Sequence, residues 1–448
     1  MMNTENNESV PSKLARCSSA AQIVSEICEA LLQAAPEYSE VHECQLKSLL
    51  RGDISKQDER DQNVLDYMIN NRRCHVVETR FESLNLAGYS LERVEKKLGK
   101  ALGRAVFVHG LRELHLSGNS LRNIDAGLGW LVVETDNTND YTEPDLSEIF
   151  VDSNIIRSVD WPPPAFAGIS KCLTHVDLSK NKIKSIEVIP EPLPQPITLH
   201  ALEWLDLSGN IGLEVLPDGL FRSMPSLKRF DAYSCALKAI PDDISGCTEL
   251  RHCGLHSNEL ESVPGGLFQC DKLVWLSLNM NKIKVLPDGI ANLKALERLS
   301  LHQNKLSTLP ASIAECTLLE ALSVHHNELK SLPDAIEALK NCLRLSLYEN
   351  PDLCHVPDGV CGMSGLRELW LYDCGLASLN PGIANLKNCQ KLWLDKNPEL
   401  VLNEEAWAAL KSLDLQELYL DGVVAAEEKD KREHELRQVM HNLHALIL

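Results

Sequence analysis

Five asparagines, Asn258, Asn281, Asn304, Asn327 and Asn350, stand 23 residues apart. Each closes the same apolar pattern, as in Leu296-x-x-Leu299-x-Leu301-x-x-Asn304-x-Leu306. A fixed period with a fixed polar residue marks a solenoid, in which a repeat buries its apolar face only against its neighbours. Function is constrained with it. A solenoid has no deep central pocket and offers a long open surface suited to binding other macromolecules.

The pattern extends outward from these five. Repeats begin at Phe81, Leu111, Leu146, Leu173, Leu202, Leu227, Leu250, Leu273, Leu296, Leu319, Cys342, Leu366, Cys389 and Leu415. Their ninth position is asparagine also at Asn119, Asn154, Asn181, Asn210 and Asn397. It is Tyr89 in the first repeat, Cys235 and Cys374 in two others, and Val423 in the last. Residues 443–448 read as the opening strand of one further repeat. Alternating residues such as Leu299 and Leu301 make the inward face of a short strand. The asparagine turns inward after it, where its amide supplies donors and an acceptor to backbone groups that lack partners. A proline is expected to end the strand, having a fixed φ and no N–H. Ile313, Cys316 and Leu319, three apart, suit a short helical return segment.

The chain resembles the leucine-rich repeat family over residues 81–448. Its central repeats carry a second half, Leu286-Pro287-Asp288-Gly289-Ile290, Leu309-Pro310-Ala311-Ser312-Ile313 and Leu332-Pro333-Asp334-Ala335-Ile336. This Leu-Pro-x-x-Ile pattern at 23 residues looks like the intracellular Ras-group subclass, which includes signalling and polarity scaffolds. The resemblance implies an α/β horseshoe, with a concave parallel sheet and short convex helices or turns. It also implies a protein partner such as a small GTPase, a kinase or a phosphatase catalytic subunit.

The segments outside the regular repeats differ in pattern. Residues 1–80 read as a tail and a small helical cap, with helices expected over Ala20–Leu32, Glu40–Leu50 and Gln62–Asn70. Ile23, Val24, Ile27 and Leu31 supply the apolar face of the first. The repeats occupy 81–423, with irregular loops at 125–145 and 187–199. The former lies in a segment, 125–160, that holds nine acids against the single base Arg157. Residues 424–448 read as a C-terminal cap, whose charged helix over 425–442 presents Leu436, Val439, Met440 and Leu443 on one face.

Net charge −20 argues against nucleic acid or an anionic membrane as partner. The first residues lack a basic and then apolar leader, and no apolar run approaches the length of a membrane span. The fifteen cysteines are odd in number. Cys247, Cys270, Cys316, Cys342 and Cys389 fall at core positions. Reduced thiols in the cytoplasm are expected.

Positions three, five and seven of each strand face away from the core. Thirteen repeats give 39 such places, where chance would put one or two of the fifteen Trp and Tyr. Eight are there: Trp204, Tyr233, Trp275, Tyr348, Trp370, Tyr372, Trp393 and Tyr419. Aromatics also favour strands as such, but large rigid side chains with a polar handle suit a partner-binding surface. His256, His302 and His325 share this face with Arg298 and Arg344, which would pair with an acidic partner.

Adjacent His302 and His325 lack a third metal ligand, so no metal and no cofactor are expected. Ser300, Ser323 and Ser346 stand beside these histidines without an orienting acid or an oxyanion hole. No catalytic residue is assigned. The expected function is a non-catalytic scaffold or adaptor. A subunit that inhibits an enzyme by capping it, or a ligand- or pattern-sensing repeat protein, are the alternatives.

Overall fold

The computed structural model describes residues 22–31, 64, 68, 73–77, 80–94, 96–107, 110–128, 144–189, 197–425 and 428–448. The chain divides into two compact units, one comprising 1–213 and 219–227, the other 214–218 and 228–448. Both are solenoids of stacked repeats with a parallel sheet along one side.

In the first unit the strands Arg80–Asn85, Glu113–His115, Glu148–Phe150, His175–Asp177 and Trp204–Asp206 pair in parallel. The segment before Phe81, read as helical, also contributes a strand. Cys74–Val77 lies antiparallel to Arg80–Asn85 at the sheet's edge. Residues 22–31 are helical, and Ile23, Val24, Ile27 and Leu31 are buried. The other two helices expected in this region lie largely outside the described residues, as do 129–143 of the acidic segment and 190–196. The long repeats carry a feature with no counterpart in the sequence pattern. Ser158–Trp161 and Ser185–Val188 form a separate two-stranded parallel sheet. Trp161 is buried there and donates its indole N–H to Ser223 Oγ at 3.1 Å.

In the second unit ten three-residue strands pair in parallel, from Arg229–Asp231 to Ala445–Ile447. Their brevity has a local cause. After position seven the backbone enters the left-handed region, with φ of 57° at Ser257, 56° at Met280, 53° at Gln303 and 52° at His326. A strand cannot continue through that conformation. In most of these repeats the return segment is one 3-10 turn, as at Ala311–Glu315, while Asp358–Cys361 and Glu404–Lys411 are α-helical. Ile313 N–H bonds to Pro310 C=O at 3.1 Å, Cys316 to Ile313 at 3.0 Å and Leu319 to Cys316 at 3.0 Å. The three-residue spacing in the sequence is the period of these bonds. The proline therefore has a different role from the one expected. It does not end the strand; it precedes the 3-10 turn with φ near −69° at Pro310 and its carbonyl opens the bonding series.

Each asparagine joins two repeats. Asn304 Nδ2 donates to Leu301 C=O in its own repeat and to Leu278 C=O in the preceding one, both at 2.9 Å. Its Oδ1 accepts from Ile283 N–H of the preceding repeat at 3.0 Å. The same three bonds recur at Asn119, Asn154, Asn181, Asn210, Asn258, Asn281, Asn327, Asn350 and Asn397.

The exceptions obey a rule. Where a repeat reads Asn-x-Leu or Asn-x-Ile, the following ninth residue is asparagine. Asn210, Asn350 and Asn397 instead read Asn-x-x-Leu, and the following ninth residues are Cys235, Cys374 and Val423. In these repeats the N–H of Leu213, Leu353 or Leu400 turns back onto its own asparagine's carbonyl, at 2.9, 3.0 and 3.0 Å. It no longer needs an acceptor from the next repeat, so valine serves at 423 and a residue that only donates suffices elsewhere. Cys374 does this, its thiol reaching Leu347 C=O at 3.4 Å. The extra residue also brings Pro351 C=O to the space a Cβ on Gly375 would fill.

At the C-terminus the charged helix spans Lys429–Val439. Leu436, Met440 and Leu443 are buried, but Val439 is 48% exposed, contrary to the sequence reading. The helix rests on a narrow i, i+4 stripe of Arg432, Leu436 and Met440, and Val439 falls beside it. Arg432 is buried over the Trp407 ring and bonds Glu404, Glu428 and Glu435.

Candidate protein-binding face

Strand register lines up positions three, five and seven as columns on the open side of each sheet. In the second unit the fifth column runs Ser277, Ser300, Ser323, Ser346, Trp370, Trp393, Tyr419. The seventh contributes His302, His325, Tyr348 and Tyr372 from consecutive repeats. With strands about 4.8 Å apart, rings in one column are forced into contact.

Those contacts form one continuous array. His302 stacks on His325 at 4.3 Å, His325 on Tyr348 at 4.0 Å and Tyr348 on Tyr372 at 4.2 Å. The array then crosses columns, Tyr372 meeting Trp393 at 6.1 Å. Trp370 stacks on Trp393 at 5.5 Å, and Trp393 meets Tyr419 at 5.0 Å. His326 adds an edge-on ring against Tyr348 and an ion pair to Glu349 at 2.6 Å.

The remaining candidates are placed apart from it. Tyr233 stacks on His256 at 4.4 Å, and Trp275 lies 6.5 Å from His252. Asn279 occupies the seventh position between His256 and His302. Trp204 belongs to the first unit, edge-on to His175 at 5.6 Å. Arg298 and Arg344 do not adjoin each other, because Ala321 stands between them in register. The first unit also holds a stacked pair, His115 on Phe150 at 4.4 Å. Both sit at fifth positions, so the register identifies them once histidine and phenylalanine are counted with Trp and Tyr.

Burial sets the electrostatics. It pushes His325 down to about 3, with His302 and His326 adding like-charge opposition. His302, His256 and His252 are also lowered, burial being the largest cause in each. These imidazoles are neutral near pH 7. Burial raises Tyr348 and Tyr372. Three buried ring nitrogens, His325 Nδ1, Trp370 Nε1 and Trp393 Nε1, have no hydrogen-bond partner among the described residues. Position five is more enclosed than a strand's outer face implies. Ser277, Ser346 and Asp231 are buried, and Asp231 Oδ1 packs where a Cβ on Gly254 would stand.

Ser300 Oγ lies 2.9 Å from His302 Nδ1. Burial, and after it the neighbouring imidazoles of His326 and His256, oppose the imidazolium that His302 would have to form as a general base. Among the described residues no group of three or more His, Cys, Asp or Glu is placed to hold a metal, and no helix is long and apolar enough to cross a membrane.

A leucine-rich repeat family model matches residues 248–306 and 271–329. The fold is a leucine-rich repeat solenoid. The fold is similar to an internalin of Listeria monocytogenes, at 18% identity over 86% of this chain and 96% of that one, TM-score 0.59. It is similar also to a leucine-rich repeat protein of Leptospira interrogans, at 20% identity over 81% and 95%, TM-score 0.51. A TDR receptor structure matches at 22% identity over 76% and 55%, TM-score 0.55. Such identities speak to the fold alone. No curated protein matches the sequence. Leucine-rich repeat domains generally serve as protein-binding scaffolds.

Proposed function

We propose that this chain is a non-catalytic adaptor that grips a protein partner on the open sheet face of its second unit. The supporting observation is the continuous ring array from His302 to Tyr419. Large rings held by their neighbours lose little freedom on binding, which is what a hot-spot surface requires. Trp370 and Trp393 add indole N–H groups that the free chain leaves unsatisfied and that a partner's carbonyl can meet after side-chain rotation.

The Leu-Pro-x-x-Ile halves support membership of the Ras group, and with it a small GTPase, kinase or phosphatase as partner. A cytoplasmic setting is supported by the placement of the twelve described cysteines, nine of which are buried. Affinity purification from the native cell, with mass spectrometry, tests the reading. The Tyr348→Ala/Trp370→Ala/Trp393→Ala variant should lose its main partner while keeping the wild-type unfolding midpoint. An unchanged partner set in that folded variant rejects the site.

A further inference from the structure

Around Ala321 the second unit gathers polar groups that nothing in the chain uses. Arg298 and Arg344 flank Ala321 on the neighbouring strands. Both are exposed, and neither has a carboxylate partner among the described residues. Two strand spacings set their Cα atoms about 10 Å apart. Only a methyl group lies between, so both guanidinium groups can close on one ion. Other cations of this face are engaged: Arg229 bonds Asp231 at 2.5 Å, and Lys391 lies between Glu368 at 3.9 Å and Glu417 at 3.1 Å. Two arginines separated only by an alanine, and without an ion pair among the described residues, stand out in a chain of net charge −20.

The next column adds the hydroxyls of Ser323 and Ser346, which have no hydrogen-bond partner among the described residues. Beyond them lies His325, whose Nδ1 is buried and unpartnered. The fifth column, Gly254, Ser277, Ser300, Ser323 and Ser346, is all small side chains until Trp370 closes it. Around Ala321 only small side chains therefore separate the arginine column from the ring column, as far as the Trp370 indole.

We propose that the gap over Ala321 receives a phosphoryl group carried on an extended segment of the protein partner, clamped by Arg298 and Arg344 with Ser323 as a further donor. This deepens the protein-binding reading above and depends on it. The number of donors selects phosphate over carboxylate. A carboxylate offers two oxygens and one charge; a phosphate monoester offers three oxygens and up to about two charges. Two guanidinium forks and a hydroxyl exceed the roughly four lone pairs a carboxylate can offer. From Ala321 to Trp370 is again about 10 Å, roughly three extended residues. The segment should therefore place an apolar or aromatic side chain about three positions from the phosphorylated one.

The test uses the full chain and three bead-bound degenerate peptide libraries, identical except for a central phosphoserine, serine or glutamate. Wild type should retain the phosphoserine library about tenfold or more over the others. The Arg298→Gln/Arg344→Gln variant should lose that preference at an unchanged unfolding midpoint, while the double lysine variant keeps part of it. Equal retention of all three libraries overturns the inference, as does retention of none, or a preference that survives in the glutamine variant. Equal retention that disappears in Trp370→Ala/Trp393→Ala would remove the phosphoryl clamp and leave the protein-binding reading standing.

Discussion

The joints at Asn304 and at Cys374 hold their repeats together in different ways. At Asn304 one side chain makes three hydrogen bonds and serves backbone groups on both sides of the joint. At Cys374 the preceding loop has one more residue, Leu353 N–H is satisfied within its own repeat, and a thiol donor spans the joint alone. The ninth residue is thus chosen by the length of the loop before it. What sets the requirement is which buried backbone groups would otherwise lack a partner.

Unequal truncation costs would establish the difference most directly. Asn304→Ala orphans Ile283 N–H and removes one of the two amide donors on each of Leu278 and Leu301 C=O, and should destabilise by about 3 kcal/mol, at about 1 kcal/mol for each hydrogen bond lost. Cys374→Ala should cost about 1 kcal/mol. Urea unfolding of both variants measures this, and equal losses would break the comparison. Next in size, Asn304→Cys turns one joint into the other without the longer loop. It keeps a donor but orphans Ile283 N–H, and should cost about 1–3 kcal/mol. A loss as small as that of Cys374→Ala would show that loop length does not matter.

The joints also differ in their response to pH. Burial pushes the Cys374 thiol up from about 9 to about 12. Between those values the unfolded chain releases its proton while the folded one keeps it. Cys374 therefore contributes stability that is complete below pH 9 and lost as pH rises toward 12. The asparagine joint does not titrate. Urea midpoints at pH 8, 9.5 and 10.5 should fall less steeply in Cys374→Ala than in wild type, the other buried thiols supplying the remaining slope. The smallest effect concerns the residue before each ninth position. Met280 has φ 56° and Asp373 φ 50°. Glycine tolerates that region without strain and aspartate better than methionine. Met280→Gly should stabilise by about 0.5–1 kcal/mol and Asp373→Gly by less, measurable as shifts in melting temperature.

Much of this was legible in the residues before any coordinates. The 23-residue beat marks each strand, and an asparagine five residues after Leu299 shows that Arg298, Ser300 and His302 face outward. The columns follow from that register, because the side-chain period of a strand is two. The loop rule is also written in the sequence, as leucine two or three residues after the asparagine, but its meaning needs the hydrogen bond from Leu353 to its own asparagine. Other features were not legible. Val439 looked buried because helical spacing gives a stripe and not its width. The proline looked like a strand end because the left-handed residue that ends the strand, Met280 or Gln303, carries no compositional mark. Ser158–Trp161 and Ser185–Val188 were hidden in irregular repeats, where no period constrains the reading.

By itself the sequence determined the repeat, the register and the side chains that share a column, since these depend only on local backbone geometry repeated at a fixed interval. The tertiary structure decided which of those side chains meet. Rings from repeats 23 to 26 residues apart become one surface only when parallel pairing brings strands within about 5 Å. The same pairing leaves Arg298 and Arg344 facing each other across Ala321 with no acid between them, a consequence of what the neighbouring strands present.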